Sequence, residues 1–262
     1  MKNYSNICQM IDTPIIDFHA HGGLWGRHGV IDNPQLFIKL MDSTGIDKAC
    51  INSIYFGNSR WANNLVYNRF VKTFPNRFIG VAFVTPHYPE ETVKELDHAF
   101  NNLEFKFLKL YPAYFGKPSD HPEYTHIYEW ANEKQIPIMC HATDPADPPN
   151  IKILDRYEKF TTNYPNIKWV IAHGAEMPDI NTITVAKELP NVWLETCGSP
   201  TPLHGISFAV NHGLADRILF GSDMPLMDHR HQIARIITID ISDEDKKKIL
   251  GLNAIKLLNL EI

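Results

Sequence analysis

Apolar and polar positions along this chain follow two alternating rhythms. Short runs rich in Ile, Val, Phe and Leu, at 15–19, 49–54, 78–83, 105–110, 136–140, 168–172, 192–195 and 217–220, read as strands. Between them lie stretches whose apolar residues recur at helical spacing: 33–43, 62–74, 89–101, 123–134, 152–164, 177–189, 205–212 and 228–237. A ninth helix is expected over 242–258, with Ser242 as its cap and Asp243, Glu244 and Asp245 in the first turn, where negative charge suits the helix dipole. The strand runs are apolar at consecutive positions, as expected when helices cover one side and a barrel interior the other. Eight strand-then-helix units in 262 residues predict an α/β fold, a single (β/α)8 TIM barrel with an extra C-terminal helix, taking up residues 1–262 as one domain. Proline marks the joints: Pro137 opens the fifth strand, and Pro165 and Pro190 end the helices before the sixth and seventh.

Composition narrows the functional classes. Hydrophobic residues at 44% supply one large core, and 21% charged residues with a net charge of −5 describe an ordinary soluble protein. No basic patch points to nucleic acid. The longest apolar runs are far too short to span a bilayer, and the polar stretch from Met1 to Met10 lacks the apolar segment of a signal peptide. Cys8, Cys50, Cys140 and Cys197 are scattered, without a C-x-x-C pair, which reads as reduced thiols in a cytoplasmic protein. The triplet Lys246-Lys247-Lys248 reads as a solvated face. The expected partner is therefore a small-molecule substrate, neither nucleic acid nor membrane, with homo-oligomer formation left open.

The chemistry-bearing residues fall where such a barrel builds its active site, at the C-terminal ends of the strands. His19 and His21 form an H-x-H at the end of the first strand; alternate residues share a face, so the two imidazoles stand side by side, with Asp17 on the same face one layer deeper. Lys109 ends the fourth strand, His141 the fifth, His173 the sixth and Asp223 the eighth. Neutral imidazoles and carboxylates are natural ligands for zinc or a similar divalent ion. Lys109 could bind a substrate anion, bridge two metals as a carbamate, or sit in a structural ion pair. The first loop carries Trp25 and Arg27 among glycines, and Arg27 is a candidate carboxylate clamp. Tyr111 is a further substrate-contact candidate, with weaker claims for Tyr55, Tyr114 and Arg230 just past strand ends; His229 and His231 read as supporting or surface residues.

The set H-x-H, fifth-strand His, sixth-strand His and Gly221-Ser222-Asp223-Met224-Pro225 resembles the amidohydrolase superfamily, in particular its amidohydrolase-related branch. The resemblance extends through Tyr128-Glu129-Trp130-Ala131, Tyr164-Pro165-Asn166, Leu189-Pro190-Asn191-Val192 and the closing Asn253-Ala254 helix. It implies metal ligands at His19, His21, His141 and Asp223. It leaves open whether Lys109 and His173 complete a two-metal site, because Lys109-Leu110-Tyr111-Pro112-Ala113 is also similar to dihydroorotases, where a carbamylated lysine bridges two ions.

A divalent ion, zinc before manganese and one or two in number, makes a water nucleophilic near neutral pH and polarises a carbonyl oxygen. Asp223 is placed to shuttle the proton and His173 to stabilise the developing oxyanion. The leading expectation is a metal-dependent hydrolase of an amide, lactone or similar carbonyl bond. The alternatives are a metal-dependent non-oxidative decarboxylase of an unsaturated or aromatic acid, and a catalytically inactive metal-binding barrel, for which a retained Asp223 would have no use.

Overall fold

The computed structural model describes residues 11–23, 33–53, 58–141, 152–175, 180–198 and 204–261. Eight parallel strands form one sheet in sequential order: β1 (Ile16–His21), β2 (Lys48–Asn52), β3 (Phe78–Phe83), β4 (Phe107–Lys109), β5 (Ile138–His141), β6 (Trp169–Ala172), β7 (Val192–Glu195) and β8 (Ile218–Leu219). Helices alternate with them: α1 (Pro34–Thr44), α2 (Ser59–Val66), α3 (Pro89–Asn101), α4 (Thr125–Lys134), α5 (Ile153–Asn163), α6 (Ile180–Glu188), α7 (His204–Asn211) and α8 (His229–Thr238). The barrel closes where β1 meets the segment after β8: the Phe18 N–H donates to the Phe220 carbonyl at 2.8 Å, the Asp223 N–H to His19 at 2.8 Å and the His21 N–H to Met224 at 2.7 Å. The expected (β/α)8 barrel is therefore the observed architecture.

Two apolar layers follow from the strand alternation. Ile16, Phe18, Cys50, Val81, Phe107, Met139, Val170 and Leu219 fill the barrel interior, where Phe18 stacks on Phe107 at 4.3 Å. Their outward neighbours, among them Ile51, Leu108, Ile138, Trp169 and Ile171, join the core beneath the helices. Trp169 anchors that layer, stacked on Phe160 at 4.5 Å and edge-on to Tyr128 at 5.1 Å.

Local differences from the expected elements have physical causes. The second helix is shorter than the 62–74 pattern, because α2 passes at Tyr67 into a π-helical turn, Tyr67–Val71. A short 3-10 turn, Pro122–Tyr124, precedes α4 and takes the start of the expected 123–134 helix. The ninth helix breaks into three pieces, α9 (Asp243–Lys247), a π-helical turn (Lys248–Leu252) and α10 (Asn253–Leu258). Ser242 does cap it, accepting the Asp245 N–H at 3.1 Å. The wide turn lets the Ile249 carbonyl accept the Phe220 N–H at 2.9 Å, so the last helical segment completes the short β8. Ala254 and Leu258 then pack into the interior cluster and stopper its base.

Gly251 allows this docking. A Cβ there would collide with the Pro14 carbonyl oxygen, a backbone atom with no freedom to swing aside. Gly251→Ala is expected to destabilise the fold by about 1–3 kcal/mol through forced backbone shifts. An unchanged urea midpoint would contradict that docking.

Candidate metal centre

At the C-terminal rim, parity selects which side chains face inward. Phe107 faces the interior, so Lys109 does as well; Met139 carries His141 and Trp193 carries Glu195 in the same way. The first strand departs from simple alternation. Its pairing with β2 shifts between Asp17 and Ala20, a bulge that leaves Phe18 inside and Ala20 outside. His19 and His21 thereby turn inward together, ring centroids 5.0 Å apart. Asp17 does not share their face, contrary to plain period-two parity. Its buried carboxylate accepts the His19 N–H at 3.1 Å, the Ser222 N–H at 2.9 Å and the Ser222 hydroxyl at 2.5 Å, tying β1 to the segment after β8. Burial raises the Asp17 carboxyl from 3.8 to about 7, against the lowering effect of those hydrogen bonds.

His173 and Asp223 reach the site by another device. Both are non-glycine residues in the left-handed region, with φ of 62° and 59°. Ala172 faces the interior, so simple alternation would send His173 outward. The left-handed turn instead brings its ring within 5.3 Å of His19 and 4.9 Å of His141. The turn after Asp223 is closed by its backbone carbonyl, which accepts the Leu226 N–H at 2.8 Å. Its carboxylate is left to the imidazoles: Oδ1 lies 2.8 Å from His21 Nε2 and 3.7 Å from His19 Nε2.

The opposite ring edges are anchored to oxygens. His19 Nδ1 lies 3.0 Å from Glu195 Oε2, and His173 Nδ1 lies 2.8 Å from the Cys197 carbonyl. A carboxylate and a carbonyl only accept, so each Nδ1 carries a proton, and in the neutral ring of His19 Nε2 keeps its lone pair. His21 Nδ1 lies 3.1 Å from Asn52 Oδ1, and Asn52 donates its amide to Tyr111 Oη at 3.1 Å.

The electrostatics suit a cation. Burial, and then the charge of Lys109, push His19 and His141 well below the ordinary histidine value, keeping them neutral. Burial alone would raise the Asp223 carboxyl, but the hydrogen bond from His21 and the nearby imidazoles outweigh it and bring it from 3.8 to about 2. Lys109 is fully buried, its Nζ 3.4 Å from His19 Nε2, and burial lowers its pKa. Burial and the neighbouring Glu195 push the Cys197 thiol up.

Among the described residues, two compact donor groups could hold a metal ion: His19, His21 and Asp223, and on the other edge of the His19 ring His19, His173, Glu195 and Cys197. The first fits a divalent cation well. It offers the Nε2 atoms of His19 and His21 and an ionised carboxylate, and the protonated Nδ1 of His19 lies on the far edge of its ring. His141 joins the rim, its ring 5.6 Å from Tyr111, but belongs to neither group. Tyr111 is 4% exposed and turns its hydroxyl toward Asn52 and His21; the more exposed ring of Tyr114 stacks on it at 5.4 Å. Trp25, Arg27 and Tyr55 lie outside the described residues. Arg230 is occupied by Asp228 on the surface. Glu195, Asn52 and Cys197 belong to the site although the motif reading passes over them. Glu195 directly follows the apolar Val192-Trp193-Leu194, the same signal that marks His141.

A parallel eight-stranded barrel whose first and last strands bring imidazoles and a carboxylate together defines a class of enzyme. A family model described as amidohydrolase matches residues 56–260, and the chain belongs to that family of enzymes. The matched region begins beyond His19 and His21. An uncharacterised TIM-barrel protein from Bordetella bronchiseptica shares the fold with a TM-score of 0.77, at 22% identity over 94% of this chain and 98% of that one. A dihydroxybenzoic acid decarboxylase from Polaromonas, with bound manganese and the inhibitor 2-nitroresorcinol, gives 0.75 at 19% identity, covering 95% and 97%. At these identities the likeness is one of fold. A curated relative, glucosamine-6-phosphate deaminase 2 of Mus musculus, is 36% identical over 104 residues, 37% of this chain; the chain spans only 35% of that protein's length. No described helix is long and apolar enough to cross a membrane.

Proposed function

We propose that this protein is a metal-dependent hydrolase that cleaves an amide, lactone or related carbonyl bond of a small molecule. The observation that carries this is the convergence of His19 Nε2, His21 Nε2 and Asp223 Oδ1 from the two ends of the chain into one buried donor set. These three residues would hold the ion, zinc in the first instance and manganese in the second. When bound, a divalent ion supplies Lewis acidity to a carbonyl oxygen and lowers the pKa of water toward ~7. Asp223 accepts the proton of the attacking water and returns it to the leaving group. His173, its Nδ1 proton held by the Cys197 carbonyl, would stabilise the developing oxyanion through Nε2 once that nitrogen also carries a proton. A second ion would draw on His141, His173 and a carbamylated Lys109. Trp25 and Arg27, from the first loop, are assigned to substrate contact. Cys50, Cys140 and Cys197 are buried and outside any disulfide among the described residues, which suits the reducing cytoplasm.

A second reading, a decarboxylase of aromatic or unsaturated acids, is supported by a flat wall beside the centre. Tyr114 stacks on Tyr111 with 22° between their planes, and Phe83 and Phe115 stand behind. The manganese-containing decarboxylase of the same fold supports it as well.

The deciding experiment compares purified, zinc- or manganese-loaded protein on two substrate panels. Ring opening of lactones or amide cleavage supports hydrolysis; carbon dioxide released from hydroxybenzoates supports the second reading. Turnover of neither panel by the loaded protein would favour the inactive barrel. Removal of the ion with a chelator is expected to abolish turnover, and its return to restore it. The ion should also stabilise the fold by about 2.7 kcal/mol at a hundredfold excess over its Kd. A thermal midpoint indifferent to metal would count against the reading.

A further inference from the structure

Glu195 is completely buried, yet it lies outside the donor set proposed to hold the ion. A carboxylate withdrawn from water is costly unless its lone pairs are met. Here they are met from three chain segments. Oε2 accepts from His19 Nδ1 at 3.0 Å and from the His173 N–H at 3.1 Å, and Oε1 accepts the Cys197 N–H at 2.5 Å. The Cys197 thiol, 3.1 Å from Oε2, is a fourth donor. Room for this carboxylate comes from Gly221, where a Cβ would collide with Glu195 Oε1 and stand 2.8 Å from His19 Cβ.

We infer that Glu195 is the positioning residue of the centre, holding His19 in the Nδ1–H tautomer with Nε2 aimed at the ion and fixing the backbone from which His173 projects. The inference rests on the proposed metal centre and deepens it. Through the His19 imidazole, a carboxylate on Nδ1 makes Nε2 a stronger ligand, and losing such a partner typically weakens metal binding about 10–100-fold. Cys197 then serves through its backbone, and its sulfur is no ligand. The rival arrangement puts an ion on the other edge of the His19 ring, among Cys197 Sγ, Glu195 and the two Nδ1 atoms. Both of those nitrogens already donate their protons to oxygen acceptors, so an ion there would have to displace both hydrogen bonds.

Cobalt(II) binding to the full chain separates these arrangements. Wild type and Cys197→Ser are expected to bind cobalt with affinities within about threefold and with no thiolate-to-metal absorption band, whereas Glu195→Gln should bind about 10–100-fold more weakly. Should Glu195→Gln fail to fold, histidine nitrogen NMR of the wild-type protein tests the same point, because the His19 proton must reside on Nδ1. Glu195→Gln matching wild type, a proton on Nε2, or a thiolate band that vanishes in Cys197→Ser would each overturn the inference while leaving a metal centre in place. Wild-type protein that binds no cobalt, zinc or manganese would take down the centre itself.

Discussion

Asp223→Asn is expected to lower kcat by about 10²–10⁴-fold while the barrel stays folded. The substitution keeps the size of the side chain and leaves the backbone bonds to His19 and Leu226 untouched. It removes the group that can both accept and return a proton. Because the His21 hydrogen bond and nearby imidazoles hold the carboxyl at about 2 despite burial, the wild-type residue is ionised across the neutral range. The variant therefore loses a negative charge at every working pH, and its affinity for a cation should fall as well. Turnover measured at saturating metal separates the two effects: a deficit that persists at saturation belongs to proton transfer. Recovery of full wild-type kcat under saturating metal would reduce Asp223 to a ligand alone.

His19→Ala should produce the largest combined effect, on metal retention and on stability together. His19 Nε2 leaves the donor set, so metal-dependent turnover should fall by about 10³-fold or more, the equivalent of several kcal/mol of lost Lewis-acid stabilisation. The same deletion strips Glu195 of a donor and Lys109 of an acceptor, and both groups are fully buried. Taking one hydrogen-bond partner from a buried polar group costs about 1–3 kcal/mol. Urea unfolding of metal-free protein isolates this second loss. Equal midpoints for variant and wild type would show that Lys109 and Glu195 do not depend on the imidazole.

The barrel was legible in the sequence because its cause is periodic. Eight apolar runs and the helical patterns between them state which faces must be hidden, and sequential parallel order follows with short connections. The rim was legible for a related reason: a polar residue that ends an apolar run stands at the mouth of the barrel, as His141, His173 and Asp223 do. The placement of Asp17 was not legible, since a one-residue bulge between Asp17 and Ala20 reverses parity without altering composition. The turns that aim His173 and Asp223 inward were hidden for the same reason, since a left-handed φ at a non-glycine residue leaves no compositional trace. Glu195 and Asn52 were within reach. Both end interior-facing strands, and applying the strand-end test to β2 and β7 would have found them. The hydroxyl contacts of Tyr111 with Asn52 and His21 were not legible, because they depend on which residues of β1 and β2 stand beside it.

The closing seam of the barrel joins residues 202 positions apart, His21 on the first strand and Asp223 beyond the last. Any ligand held by both spans a joint that cannot form until β8 and the segment after it have been synthesised. Occupancy and closure are then linked equilibria, so an ion that prefers the closed ring works as a clasp. Without it, β1 and the segment after β8 should be the first part of the barrel to exchange its amide hydrogens, and adding the ion should slow that exchange most at His21 and Asp223.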